Sequence, residues 1–199
     1  MGQKPLANPR HGRFLGKIPR PVTAALARLE RQDALGRLWR LDHTLWKPEP
    51  TEISHRLGWL TVAGAMRPQV AALESFAAEV REAGLRQVVL LGMGGSSLGM
   101  EVLARILGSA PGCPGLVVLD STLPERVQQV ARAIEPARTL FLVSSKSGGT
   151  VETLSLYKHF RGVVAQAVGE EKAGRHFVAI TDPGTSLAAL GQQMGFRRV

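Results

Sequence analysis

Two short segments hold the residue types that could do chemistry. "GMGGSSLG", residues 92–99, sets glycines and serines directly after an apolar run, and "SSKSGGTVET", residues 144–153, does the same after a second run. Glycine lets backbone N–H groups approach a ligand, serine and threonine add hydroxyls, and lysine adds a cation. Where such a segment opens a helix, its free N–H groups form a seat for an anion. The chemistry on offer is the grip of a phosphate, by Ser96 and Ser97 with the neighbouring glycines in the first segment and by Ser145, Lys146, Ser147 and Thr150 in the second.

Other phosphate motifs fit the letters less well. Ser97 stands where a dinucleotide fingerprint has its third glycine, and no acidic residue lies near position 112 to hold a ribose. Met100 and Glu101 follow Gly99, where a triphosphate P-loop needs lysine and then serine or threonine. "GSSLG", residues 95–99, does match the nucleophile elbow of serine hydrolases, with Ser97 as the nucleophile. That elbow normally follows several strands and precedes an aspartate and a histidine, whereas here it would follow the first strand. The hydrolase is kept as the lesser alternative.

The elements that must position these segments are legible from the apolar pattern. Runs at 87–92, 116–120, 139–144 and 177–181 are continuous rather than alternating, as in strands covered on both faces. Helical segments separate them, which implies right-handed crossovers and a parallel sheet. The spacing predicts helices over Pro68 to Gly84, from Thr122 with a capping box to Glu125, over Val151 to Ala167, and after "TDPGTS" at 181–186. "GFRRV" reads as a further strand just begun. Upstream, Leu26, Leu29, Leu35, Leu38, Leu41 and Leu45 predict one or two amphipathic helices, and "WKPEPT" breaks them. The expected fold is α/β, a three-layer sandwich around a flavodoxin-like, doubly wound parallel sheet. Residues 1–60 form a basic tail and helical extension in this reading, and residues 61–199 form the phosphate-binding domain.

Composition narrows the function classes. At 199 residues and 44% apolar the chain can bury a core. No stretch is long and apolar enough for a membrane helix, and no secretory signal is present, so the expected location is cytoplasmic and no membrane partner is expected. Cys113 is alone, and His11, His43, His55, His159 and His176 lack paired metal-ligand spacing, so neither metal nor cofactor is expected. The net charge is +9, and over half of it sits on Lys4, Arg10, Arg13, Lys17 and Arg20. That segment reads as a solvated tail rather than a nucleic-acid arm, and the absence of serine argues against a transit peptide.

The two glycine-serine segments together, in content, order and separation, resemble the paired signatures of glucose-6-phosphate isomerases, whose domains have the sugar isomerase fold. "LWKPEP", "RLGWLTV" and "VVLLGMGGSSLG" resemble more narrowly the isomerase half of bifunctional transaldolase/glucose-6-phosphate isomerases. The resemblance implies that Gly95 and Ser96, with Ser145, Lys146, Ser147 and Thr150, hold the phosphate of glucose 6-phosphate or fructose 6-phosphate. It places Glu152 beside the active site, although an acid in a helix first turn has its own electrostatic reason to be there. It implies a strand order with the first and third strands adjacent, a homodimeric full-length enzyme of glycolysis and gluconeogenesis, and no cofactor. The family's catalytic glutamate, histidine, lysine and arginine would all follow Val199, so the expectation is a chain that binds substrate without turning it over. A non-catalytic sugar-phosphate sensor is the alternative reading.

Overall fold

The structure, a computed structural model, describes residues 20–199; the basic segment at 1–19 lies outside the described residues. By packing, the chain divides into a unit ending at Ala71 and a unit Ala72–Val199, a later division than the 60/61 boundary expected from the sequence.

The described part of the first unit is a run of short helices, α1 (Arg20–Arg31), α2 (Ala34–Trp39) and α3 (Val62–Met66), with a tight turn between α1 and α2 and three 3-10 turns between α2 and α3. Among its described residues most large apolar side chains stay exposed, and only Ala34 and Leu57 are buried. The turn after α2 is organised by one carboxylate. Asp42 accepts from the Thr44 amide at 2.9 Å, from the Thr44 hydroxyl, and from Arg37 Nε at 2.7 Å. The Thr44 and Arg37 hydrogen bonds favour the charged form and hold the carboxyl at about 2.

The second unit begins within α4 (Val70–Glu82), whose Phe76 and Val80 lie on one face. Four strands follow: β1 (Gln87–Gly92), β2 (Gly115–Leu119), β3 (Thr139–Ser144) and β4 (Phe177–Ile180). All pair in parallel, in the order β2-β1-β3-β4, so the first and third strands are neighbours at the centre. The connections are α5 (Gly95–Leu107), α6 (Pro124–Ala133) and α7 (Val151–Val168), with α8 (Glu170–Ala173) before β4 and α9 (Ser186–Gln193) after it. The step from β1 to β2 runs opposite to the two later steps. Right-handed crossovers therefore put α5 on the sheet face away from α6 and α7, which makes three layers.

One sheet face holds the main core. Val89, Leu91, Phe141, Val143, Phe177 and Ala179 meet Val130 of α6, Leu156, Tyr157, Phe160 and Val164 of α7, and Leu187 of α9. Phe141 packs on Phe160 and on Phe177 with ring centroids 5.1 Å apart in each pair, and Tyr157 stands edge-on to Phe177 at 5.2 Å. The other face gathers a smaller cluster, Val80, Leu85, Leu140 and Val178.

Beyond β4 the chain returns to the sheet. The Arg197 amide donates to Phe177 O at 2.8 Å, Ala179 donates to Arg198 O at 3.0 Å, and Val178 bridges Arg198 in parallel. The strand expected from "GFRRV" is thus begun on the free edge of β4. One expectation fails: α6 starts at Pro124 with Leu123 as its N-cap, so Thr122 and Glu125 form no capping box. Proline at the first helical position supplies the start instead, and Ser121 Oγ accepts the Leu123 amide at 3.2 Å. Among the described residues no helix is long and apolar enough to cross a membrane.

Candidate functional site

The site is built at the carboxyl ends of β1 and β3, where the two central strands release their loops side by side. Gly92 is the register partner of Ser144, so the first residue beyond each strand starts from the same point on the sheet. At Gly92 the loop folds back tightly: a Cβ there would lie 2.9 Å from Ser96 O and 3.3 Å from Ser144 O, and only glycine fits. The first loop therefore leans on the end of the second loop's strand.

The first loop turns into α5 through short bonds. Ser96 donates its amide to Met93 O at 3.2 Å, and the amides of Ser97 and Leu98 both donate to Gly94 O at 3.0 Å. Gly94, the helix N-cap, has no side chain to cap those amides, and Gly95 is exposed with Ser96 half-buried beside it. Ser97 points the other way. It is fully buried, and its Oγ donates to Gly94 O at 3.0 Å. An elbow nucleophile must present its hydroxyl to substrate, so the G-x-S-x-G match at 95–99 corresponds to no nucleophile elbow.

The second loop is tied down from below. Ser145 donates its amide to Ile180 O at 3.0 Å, and its hydroxyl shares a 2.8 Å bond with Thr150 Oγ1. The Gly148 amide returns to Ser145 O at 3.1 Å and closes a turn. Gly148 has φ +71°, and a Cβ would meet Thr185 Cβ at 2.6 Å, so glycine is required twice over. Lys146 O accepts from the Asp182 amide at 3.1 Å and from the Thr181 hydroxyl at 3.3 Å, and Gly148 O accepts from Ser186 Oγ at 2.9 Å. The carbonyls of Ser145, Lys146 and Gly148 are thus occupied. What remains outward is donor-rich: Lys146, Ser147 and Gly149 are exposed, Thr150 is half-buried at the N-cap of α7, and the first-turn amides of α7 lack intrahelical acceptors. Among the described residues Lys146 enters no ion pair. Ser145 is buried with its hydroxyl engaged by Thr150, whereas the exposed Lys146 and Ser147 and the first-turn amides of α7 leave this edge suited to an oxyanion.

The sequence-expected residues therefore fall as follows. Gly95 and Ser96 sit on one loop, Ser145, Lys146, Ser147 and Thr150 on the neighbouring one, and Glu152 is exposed in the first turn of α7. The third participant was missed. Residues 181–186 read only as the start of a helix, yet Thr181, Asp182, Thr185 and Ser186 form the buttress that shapes the second loop. Thr185 also caps α9 by accepting the Ala188 amide at 3.2 Å, while its hydroxyl meets Thr181 Oγ1 at 2.8 Å. A threonine-serine cluster after the fourth parallel strand was the available signal. His159 lies apart, in a groove of about 280 Å³ between α6 and α7 lined also by Thr122, Val127 and Leu156. Among the described residues no group of three or more histidine, cysteine, aspartate or glutamate side chains gathers to hold a metal.

The chain is similar to known proteins in sequence and in fold. A protein from Carboxydothermus hydrogenoformans, named glucose-6-phosphate isomerase, is 34% identical over 151 residues, covering 71% of this chain and 32% of its own length. One from Chromobacterium violaceum, named glucose-6-phosphate isomerase 2, is 36% identical over 140 residues, covering 65% of this chain and 25% of its own. The chain thus spans less than a third of these relatives. In three dimensions it resembles a hypothetical protein of Thermus thermophilus, with TM-score 0.64 and 28% identity over 88% of this chain and 40% of that one. It also resembles a glucose-6-phosphate isomerase from Chlamydia trachomatis, with TM-score 0.61 and 26% identity over 70% of this chain and 26% of that one. The family model described as phosphoglucose isomerase matches residues 66–195, a span that takes in α4, the whole sheet and all three loops of the site, and the chain belongs to that family.

Proposed function

We propose that this chain is the sugar-phosphate-binding part of a glucose-6-phosphate isomerase, which interconverts glucose 6-phosphate and fructose 6-phosphate. The observation that carries the reading is the pairing of Gly92 with Ser144, which starts both donor-rich loops from one point on the sheet. The phosphate dianion sits between them. The Gly95 amide and Ser96 hydroxyl grip it from the first loop, and Ser145, Lys146, Ser147 and Thr150 from the second. Hydrogen bonds of this charge-assisted kind contribute about 1.5–3 kcal/mol each, so a few suffice to anchor the sugar at its phosphate end. Glu152, in the first turn of α7, stands beside the anchored substrate as an acid of the site.

The isomerisation moves a proton between C1 and C2 through an enediol and needs a base, ring-opening groups and a cation for the developing charge. On this reading those groups come from the part of the relatives that this chain does not span, so residues 1–199 bind without turnover. The full enzyme is a homodimer on this reading, and the helical segment at 21–46 is either the end of a transaldolase half or an extension of the isomerase itself.

The test is titration of the labelled chain with fructose 6-phosphate and 6-phosphogluconate, followed through the amide resonances of Gly95 and Ser147. Both are expected to shift with either ligand and to stay still with fructose. Lys146→Met is expected to weaken binding about tenfold or more, in line with the loss of one charge-assisted contact. No phosphate-dependent shift at either amide would sink the reading, and isomerase activity of the isolated chain would refute its division of labour.

A further inference from the structure

The carbonyl of Lys146 stands at the end of a hydrogen-bond chain that starts in another element. The first amides of α9 have no acceptor inside their own helix, and one of them, that of Ala188, donates to Thr185 Oγ1 at 3.2 Å. Thr185 Oγ1 lies 2.8 Å from Thr181 Oγ1, and Thr181 Oγ1 donates to Lys146 O at 3.3 Å. A hydroxyl has one hydrogen to give. Thr181 gives its hydrogen to Lys146 O, so the hydrogen between the two threonines comes from Thr185. The arrangement that satisfies all three contacts runs one way, from the α9 amide through Thr185 and Thr181 to the carbonyl.

The direction matters because of what lies across the peptide. Lys146 O and the Ser147 amide belong to one peptide group, and a carbonyl that accepts hydrogen bonds draws electron density from its own N–H and makes it a stronger donor. Lys146 O accepts twice, from Thr181 and from the Asp182 amide at 3.1 Å. On the far side of the same peptide, Ser147 is exposed, and among the described residues its amide has no protein acceptor. The group is polarised from behind and open in front. Thr181 and Thr185 are half-buried, a setting in which such chains strengthen bond by bond. Thr185 also packs against the loop backbone, since a Cβ on Gly148 would fall 2.6 Å from Thr185 Cβ, and that contact fixes the chain's geometry.

We propose that Thr181 and Thr185 are positioning residues of the phosphate grip: their one-way chain orients and polarises the Lys146–Ser147 peptide, so that the Ser147 amide meets the phosphate as a strengthened donor. The proposal rests on the sugar-phosphate reading for its ligand, whereas the effect on the free chain needs none. The full chain, isotopically labelled, is studied as wild type, Thr181→Val, Thr185→Val and Thr185→Ser. Valine keeps the shape of threonine and removes the hydroxyl. Thr181→Val cuts the link to Lys146 O and leaves the α9 cap in place, and Thr185→Ser retains every bond. Without ligand, the Ser147 amide nitrogen is expected to move upfield in both valine variants and to stay in Thr185→Ser. The Ser145 amide, which donates to Ile180 O outside the chain, is expected to stay in all of them. With fructose 6-phosphate, Thr181→Val is expected to bind about fivefold more weakly at unchanged helix content, Thr185→Val at least as weakly, and Thr185→Ser as wild type. A Ser147 nitrogen that holds still in the valine variants, or a Ser145 amide that moves as far as it, overturns the proposal. So does a Thr181→Val chain that binds as tightly as wild type, or a Thr185→Ser chain no tighter than Thr185→Val, and these failures leave the sugar-phosphate reading standing. A wild type that responds to neither fructose 6-phosphate nor 6-phosphogluconate sinks that reading and the proposal with it.

Discussion

The two faces of the central sheet are finished to different depths. On the face under α6, α7 and α9, aromatic rings from β3, β4 and α7 interlock with 5.1 and 5.2 Å centroid spacings, and Phe141, Phe160 and Phe177 are closed from solvent. On the face under α4 and α5, the buried cluster is four aliphatic residues, and α5 turns its aliphatic side outward. The difference teaches a division of tasks. The first face holds the strands in register and so fixes the two loops, whereas the second leaves the aliphatic side of α5 exposed and contributes less to the buried core.

Substitutions should separate these tasks by size. Phe160→Ala, on the filled face, removes a ring packed between helix and strand and is expected to cost about 3–5 kcal/mol in urea unfolding. Gly148→Ala strains the second loop at φ +71° and drives a methyl into Thr185, for an expected loss of about 1–3 kcal/mol together with weaker sugar-phosphate binding. Ile106→Ala, on the outward side of α5, is expected to change unfolding of the single chain by less than about 0.5 kcal/mol. A loss at Ile106 as large as that at Phe160 would break the comparison.

A pH series sharpens it. Tyr157 lies inside the filled face with its hydroxyl unpartnered, and burial raises its phenol above the ordinary 10.0, with Arg161 opposing. The folded state then holds this proton more tightly than the unfolded chain does. Its contribution is complete below pH 10 and is lost as the pH rises beyond it. Tyr157→Phe is expected to leave neutral-pH stability within about 0.5 kcal/mol, because no hydrogen bond is forfeited, and to flatten the alkaline fall. An unchanged alkaline limb in that variant would show that the phenol titrates as if exposed.

How much of this was legible in the letters depended on whether local pattern or distant packing decided each feature. β1 and β3 were readable to the residue, because a continuous apolar run ended by glycine or serine has few other fates in an α/β chain. The two donor-rich loops were readable for the same reason. The order that sets them side by side followed from the family resemblance, and the Gly92–Ser144 register agrees with it. The Thr122–Glu125 capping box failed because Pro124 and Leu123 offered a competing start one step later. The buttress from Thr181 to Ser186 escaped because its partners, the carbonyls of Lys146 and Gly148, lie more than thirty positions away in sequence. The reversed dressing of α5 escaped as well: periodicity gives the angle between apolar residues on a helix, and only the packed sheet says which angle is inside.

The bond between the hydroxyls of Ser145 and Thr150 has a consequence of its own. Either oxygen can be the donor, so the pair has two proton arrangements that share one set of heavy-atom positions. A guest needing a hydrogen from the other side obtains it when both hydroxyls turn about their C–O bonds, without moving backbone. The loop is in this sense stiff in its framework and fluent in its protons, able to accommodate successive charge patterns on one guest while its scaffold stays still.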